Sequence, residues 1–181
     1  MVTLFIKDKY LDGIALPFVQ MGPVASLPLS LLGLLVTTFF LQGAKAANCP
    51  RHWIKYADSC FGLFPEKLTW AEAEMSCQSR GIGGHLASFT SESELTVVAK
   101  YILNTFPTVE TIWIGMEDPQ KTRRWRWSDS NPVTFIPWNA GEPNNNKGNE
   151  YCVQISVSQG FLKFNDVDCK MESTSLCKSV L

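Results

Sequence analysis

Hydrophobic and polar positions change their spacing several times along the chain. From Ser26 to Leu41 the chain is almost purely apolar, with Leu27, Leu29, Leu31, Leu32, Leu34, Leu35, Val36, Phe39 and Phe40. This run is shorter than the ~20 apolar residues a membrane helix needs. Small residues follow it in Gly43-Ala44-Lys45-Ala46, and Ala44-x-Ala46 fits the small-x-small rule for signal-peptide cleavage. Cleavage after Ala46 is expected, with an uncleaved signal anchor as the alternative. Met21 starts a better-shaped signal than Met1 does. Residues 1–20 therefore read as an upstream extension without a folded role, 21–46 as a signal peptide, and 47–181 as one small domain.

Inside that domain the first periodicity is helical. Thr69 is a good N-cap, and Glu72 three residues later completes a capping box. Ala71, Ala73, Glu74 and Met75 favour helix, Gly81 ends it, and Cys77 falls on the buried face. Gly83 to Ala87 reads as a turn into a short strand. Ser91 and Glu94 repeat the capping pattern. Leu95, Val98 and Ile102 then make one apolar stripe, and Asn104 to Pro107 stops the helix.

After that the pattern becomes strand-like. Ile112-Trp113-Ile114-Gly115 reads as a buried strand and Arg124-Trp125-Arg126-Trp127 as a half-buried one. Tyr151 to Ile155 and Phe161 to Phe164 read as two more strands, and Leu176-Cys177-Lys178 as a last one. Before the helices, Cys49 and Cys60 bracket a small hairpin holding Trp53, Ile54 and Tyr56. Two helices followed by several strands predict an α+β domain. The stretch from Ser128 to Asn149 has no periodicity. An irregular loop that long in a compact domain is usually functional, or is stabilised by something bound.

Composition narrows the classes. A net charge of −1 argues against nucleic acid as the main partner. Six cysteines in a small exported domain suggest disulfides, although sequence alone allows fifteen pairings. There is no nucleophile with a plausible base, no phosphate loop and no zinc motif, so an enzyme is not expected. His52 and His85 read as structural. Trp113, Trp125, Trp127 and Trp138 read as framework. Lys121, Arg123, Arg124 and Arg126 form a basic cluster. Such a cluster is usually a solvated face, and a sulfated glycan or anionic lipid headgroup is the weaker alternative.

The candidate chemistry lies in Glu142-Pro143-Asn144-Asn145-Asn146-Lys147-Gly148-Asn149-Glu150 and, further on, in Phe164-Asn165-Asp166. Three carboxylates and several amide oxygens are the hard donors that Ca²⁺ selects, taking roughly six to eight of them. The plainer reading is a solvated polar loop, Asn- and Gly-rich because turns need those residues.

Trp113-Ile114-Gly115-Met116, the cysteine spacings, Glu142-Pro143-Asn144 and Asn165-Asp166 together resemble a C-type lectin domain. The resemblance spans Cys49 to Cys177. It is nearest to small secreted single-domain lectins of the snake-venom type. Asp118-Pro119-Gln120-Lys121 with Arg123-Arg124-Trp125 also resembles the Reg group. The resemblance implies two helices, small antiparallel sheets, a long calcium-binding loop and the bridges Cys49–Cys60, Cys77–Cys177 and Cys152–Cys169. No cysteine would remain for an interchain bond, so any homo-oligomer would be noncovalent.

The resemblance also implies a Ca²⁺ site at Glu142, Asn144, Glu150, Asn165 and Asp166, with the Asp166 carbonyl as an extra ligand and Pro143 in the cis form. Glu142, Asn144, Glu150 and Asn165 would also hold the sugar. The Glu-Pro-Asn order implies mannose, N-acetylglucosamine, glucose or fucose rather than galactose. The expected function is that of a secreted, extracellular, calcium-dependent lectin of mannose type. The alternative is a protein-binding or mineral-associated module on the same fold. Two departures stand out. Phe164 occupies the place of the usual tryptophan. A second calcium site looks incomplete, because Thr122 stands where an acidic partner for Asp118 would be expected.

Overall fold

A computed structural model describes residues 48–181. The expectations for the upstream extension and the signal peptide lie outside the described residues.

The first element is the hairpin that the sequence predicts. β1 (Ile54–Tyr56) pairs antiparallel with β2 (Ser59–Leu68), and the Cys49–Cys60 bridge closes its base. β2 runs well past Cys60, which the apolar pattern did not announce. Its side chains Phe61 and Leu63 are buried, but Gly62 between them has no side chain to show alternation. A Cβ on Gly62 would come within 2.5 Å of the Trp53 ring, so the ring lies where any larger residue would stand. β2 pairs in turn with β8 (Ser173–Val180). Their register is irregular between Phe64 and Leu68, around Pro65, which has no N–H to give to the ladder.

Two helices pack on this framework. α1 (Trp70–Gln78) starts as the capping box predicts, with Thr69 N donating to Glu72 Oε2 at 3.0 Å. It buries Trp70, Ala73 and Cys77, and the Cys77–Cys177 bridge fastens it to β8. β3 (His85–Leu86) then adds to β8. α2 (Glu92–Thr105) buries Leu95, Val98, Ala99 and Ile102, the expected stripe with one alanine added. Ser91 Oγ accepts from Glu94 N at 3.3 Å, but Glu94 Oε2 returns to Thr90 N rather than to the cap itself. The other Glu94 oxygen takes Lys178 Nζ at 2.9 Å, joining α2 to β8 through a buried ion pair.

The second half of the sheet carries the candidate site. β4 (Thr111–Glu117) runs parallel to β8 at Ile112 and Trp113 and antiparallel to β6 (Glu150–Ser156). β7 (Phe164–Asp168) closes the far edge against β6. The order is β1-β2-β8-β4-β6-β7, a sheet that is antiparallel, as expected, except for the parallel pairing of β4 with β8. The expected strand at Arg124–Trp127 shrinks to β5 (Arg126–Trp127), paired with β4. The expected strand at Phe161–Phe164 begins only at Phe164. Gly160 and Phe161 both have positive φ, at 60° and 57°, and form a turn that buries Phe161 without a ladder.

The three disulfides are those the resemblance implied, and no cysteine is free among the described residues. Phe61, Phe89, Trp127 and Phe164 stack and cross at centroid distances of 5.9 to 6.4 Å in the centre of the core. Phe164 therefore fills its tryptophan-type position completely, with no exposed surface.

Candidate functional site

Each candidate residue reaches the site from an element whose position is now clear. Asn165 and Asp166 sit on β7, opposite Gln154 and Val153 of β6. Glu150 is the first residue of β6. Glu142 and Asn144 belong to the irregular loop, which is clipped to β7 just before them. Phe164 N donates to Pro137 O at 2.9 Å and Asn139 N to Phe164 O at 2.9 Å. Trp138 packs edge-on against Phe164 and Trp125, which makes it framework, as expected. The Glu142–Pro143 peptide is cis.

The structure brings Glu142, Asn144, Glu150 and Asp166 into one network of hydrogen bonds. Asp166 is 1 % exposed, and its two carboxylate oxygens accept from Asn144 N at 3.0 Å and Asn145 N at 2.9 Å. Glu142 Oε2 accepts from Asn144 N at 3.1 Å. Glu150 Oε2 accepts from Asn146 N at 2.5 Å, while Glu150 N donates to Asn145 Oδ1 at 3.0 Å. The carboxylates therefore hold the loop's backbone as well as offering lone pairs. Asn165 stands apart from this network. Its Oδ1 is buried and has no hydrogen-bond partner. A buried amide oxygen without a partner costs free energy unless something takes its lone pairs.

The charges are crowded. Burial holds Glu142 above the ordinary carboxylate value, followed by hydrogen bonding to and repulsion from Asp166. Burial also raises Glu150, with the charges of Asp166 and Asp168 acting in the same direction. In this arrangement no three His, Cys, Asp or Glu side chains close on one point among the described residues. The donor chemistry nonetheless fits a hard cation. The donors are oxygens throughout, one of them buried and unpaired, and two carboxylates are raised, first by burial and then by the neighbouring carboxylates.

Asp118, the candidate for a second ion site, is committed to its own turn. Its carboxylate accepts from Thr122 N at 3.2 Å and Arg123 N at 2.6 Å. Three participants escaped the sequence reading. Asn145 and Asn146 looked like turn filler, yet their amides hold Asp166 and Glu150. Arg123 was read as part of a solvated cluster, yet its Nη2 donates to Pro143 O, between Glu142 and Asn144. Their only sequence signal was proximity to the Glu-Pro-Asn run. His85 is structural, bonded through Nδ1 to the buried Glu74 at 2.6 Å.

Known proteins agree with this architecture. A family model described as Lectin C-type domain matches residues 66–179. C-type lectin lectoxin-Enh5 of Pseudoferania polylepis is 43% identical over 147 residues, which is 81% of this chain and 93% of that protein. A C-type lectin described as a mannose-binding isoform, from Oxyuranus scutellatus, is 40% identical with the same coverage of 81% and 93%. The structure of human lithostathine superposes with a TM-score of 0.69 at 32% identity, covering 74% of this chain and 100% of that one. A calcium-independent type II antifreeze protein superposes with a TM-score of 0.65 at 26% identity, covering 76% and 98%.

Proposed function

The chain belongs to the C-type lectin domain family of non-enzymatic carbohydrate-binding proteins, and from that premise we propose that it is a secreted, calcium-dependent lectin of mannose-type specificity. Glu142, Asn144, Glu150, Asn165 and Asp166 would hold the ion. Calcium, when bound, supplies a hard Lewis acid that takes lone pairs from two neighbouring sugar hydroxyls. The carboxylates of Glu142 and Glu150 would accept hydrogen bonds from those hydroxyls. The Asn144 and Asn165 side-chain amides donate to the remaining hydroxyl lone pairs. The Glu142-Pro143-Asn144 order favours paired equatorial hydroxyls, as in mannose, N-acetylglucosamine, glucose and fucose.

One observation carries this reading. The Asn165 Oδ1, next in the chain to Asp166, is buried without a partner, and an unpaired buried amide oxygen is something that a purely structural loop has no use for. The mannose-binding relative adds support for the sugar class. The test is retention of the secreted protein on mannose-agarose in calcium, followed by EDTA. Retention and release support the proposal. The second reading is a protein-binding or mineral-associated module, and it has a counterpart in the fold neighbour named calcium-independent. No retention, with calcium binding still measurable by calorimetry, would favour it.

A further inference from the structure

Of the basic run Lys121, Arg123, Arg124 and Arg126, only Arg123 touches the candidate site. The run lies in the connection from β4 to β5, whose foot is the pair of Glu117 with Arg126. Every residue from Pro119 to Arg124 is exposed. Exposed connections of this kind are where endoproteases nick folded chains, because the enzyme must draw backbone into its own groove.

The bonds of the run are not equally free. Lys121 and Arg123 have positive φ, at 56° and 64°. The Asp118 carboxylate clamps this backbone by accepting from Thr122 N at 3.2 Å and Arg123 N at 2.6 Å. The Lys121 ammonium lies 4.9 Å from the centre of the Tyr151 ring, and the Arg123 guanidinium donates to Pro143 O. Arg126 pairs with Glu117 at 2.9 Å. Past Arg123 the clamp ends. Among the described residues the Arg124 guanidinium forms no ion pair, and neither Arg124 O nor Trp125 N joins a backbone hydrogen bond. Trp125 is seated by its side chain instead, edge-on to Trp138 at 5.1 Å.

We propose that the Arg124–Trp125 bond is a processing site for a serine endoprotease that selects paired basic residues, and that the secreted chain matures by a cut there. Such an enzyme holds the residue before the bond through a carboxylate in its own pocket, which the free Arg124 guanidinium can meet with two parallel hydrogen bonds. Arg123 supplies the second basic residue. Water adds to the Arg124 carbonyl carbon, the C–N bond breaks, and the Trp125 nitrogen takes a proton. An Arg124 carboxylate and a Trp125 ammonium remain.

The two pieces stay together. β4, on the first piece, lies between β8 and β6 of the second. Cys77–Cys177 joins the pieces covalently, while Cys49–Cys60 lies within the first and Cys152–Cys169 within the second. The proposal rests on the reading of the chain as secreted and not on the sugar site.

The test is to express the full chain in animal cells that also make a paired-basic serine endoprotease, and to analyse the protein from the medium by mass spectrometry. Without reductant one species is expected, heavier than the intact domain by one water. With reductant it should separate into two pieces, the second beginning at Trp125. Arg124→Gln should abolish the cut, and Arg126→Gln should leave it in place. In a parallel arm, brief treatment of folded, uncut Arg124-containing protein with a little trypsin should open the same bond first.

A chain that stays whole after reduction would overturn the proposal. A cut that persists in Arg124→Gln, or first opening by trypsin at another bond, would overturn it too. Protein held inside the cells would instead refute the secretion reading, and trypsin acting on protein purified from them would still decide which bond is the open one.

Discussion

In the sheet, backbone pairs with backbone. β6 and β7 are matched from Cys152 with Val167 to Ile155 with Phe164, over a core of Phe89, Trp127 and Phe164. In the loop a few residues away, backbone amides are held by side chains instead. Asp166 takes Asn144 N and Asn145 N, Glu142 takes Asn144 N, and Glu150 takes Asn146 N. The difference shows where stability and function are separable. A ladder and an apolar core tolerate many sequences, because any well-packed residue of suitable propensity will serve. A loop organised by three carboxylates tolerates few, because the same oxygens shape it and would face the ion.

The largest effect that tests this contrast falls on the framework. Cys77 and Cys177 close a segment with a sequence separation of 100. Replacing both with alanine is expected to cost on the order of 4 kcal/mol, the scale of the chain-entropy model for long loops. Denaturant unfolding would measure the loss. Below its lowered melting point the variant should still be retained on mannose-agarose. Loss of sugar binding in a variant that remains folded would show that framework and loop are not separable.

Asp166→Asn attacks the loop alone. The asparagine keeps the shape but offers one acceptor oxygen where two backbone amides now donate, leaving an N–H facing an N–H. A cost of about 1–3 kcal/mol is expected for the unsatisfied buried group, together with loss of calcium-dependent retention. Glu142→Gln with Asn144→Asp should leave stability nearly unchanged and move preference from mannose towards galactose. Competition of the two free sugars for the bound variant would measure it. An unchanged mannose preference would remove these residues from the sugar site.

The same contrast explains what the sequence made legible. α1, α2, β4 and β6 were readable because Thr69 and Ser91 announce caps and Leu95, Val98 and Ile102 keep helical spacing. These signals are local. Where they failed, a long-range partner had decided the outcome. Phe161 reads as strand, yet it is buried in a turn that Gly160 and its own positive φ make possible. Lys178 lies in the expected last strand with no local sign of burial, yet it is buried against Glu94, 84 positions away. At the site, the two stretches of oxygen donors are legible from composition, whereas the particular five residues and the cis proline are legible only through resemblance. The part played by Asn145, Asn146 and Arg123 was not legible at all, because a backbone amide or a guanidinium finding a carboxylate or carbonyl leaves no pattern in sequence.

A smaller effect sharpens the comparison from the framework side. Ser91 caps α2 through the amide of Glu94, away from the candidate residues. Ser91→Ala is expected to cost about 1 kcal/mol of stability, as N-cap losses do. Its affinity for methyl mannoside should match that of the wild type. A weakened affinity would mean that α2 helps to shape the loop.

The smallest expected effect tests how the loop carries its own charge. Without calcium, Glu142 is held above its ordinary value of 4.5 by burial, and then by hydrogen bonding to and repulsion from Asp166. A raised value in the folded state means that the fold favours the protonated form. The contribution is therefore present below the ordinary value and is lost as pH rises through the raised one. In EDTA, Glu142→Gln, which keeps the size and stays neutral, should melt slightly above the wild type near neutral pH. The gap should close as the buffer is taken down to about pH 4. In calcium the order should invert, because the ion favours the charged carboxylate, and the wild-type gain should fade in acid as protons compete for the same oxygens. Melting curves of both proteins across pH, with and without calcium, would decide it. If the wild type were the more stable protein in EDTA at neutral pH, the bond from Asn144 N to Glu142 would outweigh the repulsion, and the loop would be held chiefly by its own hydrogen bonds.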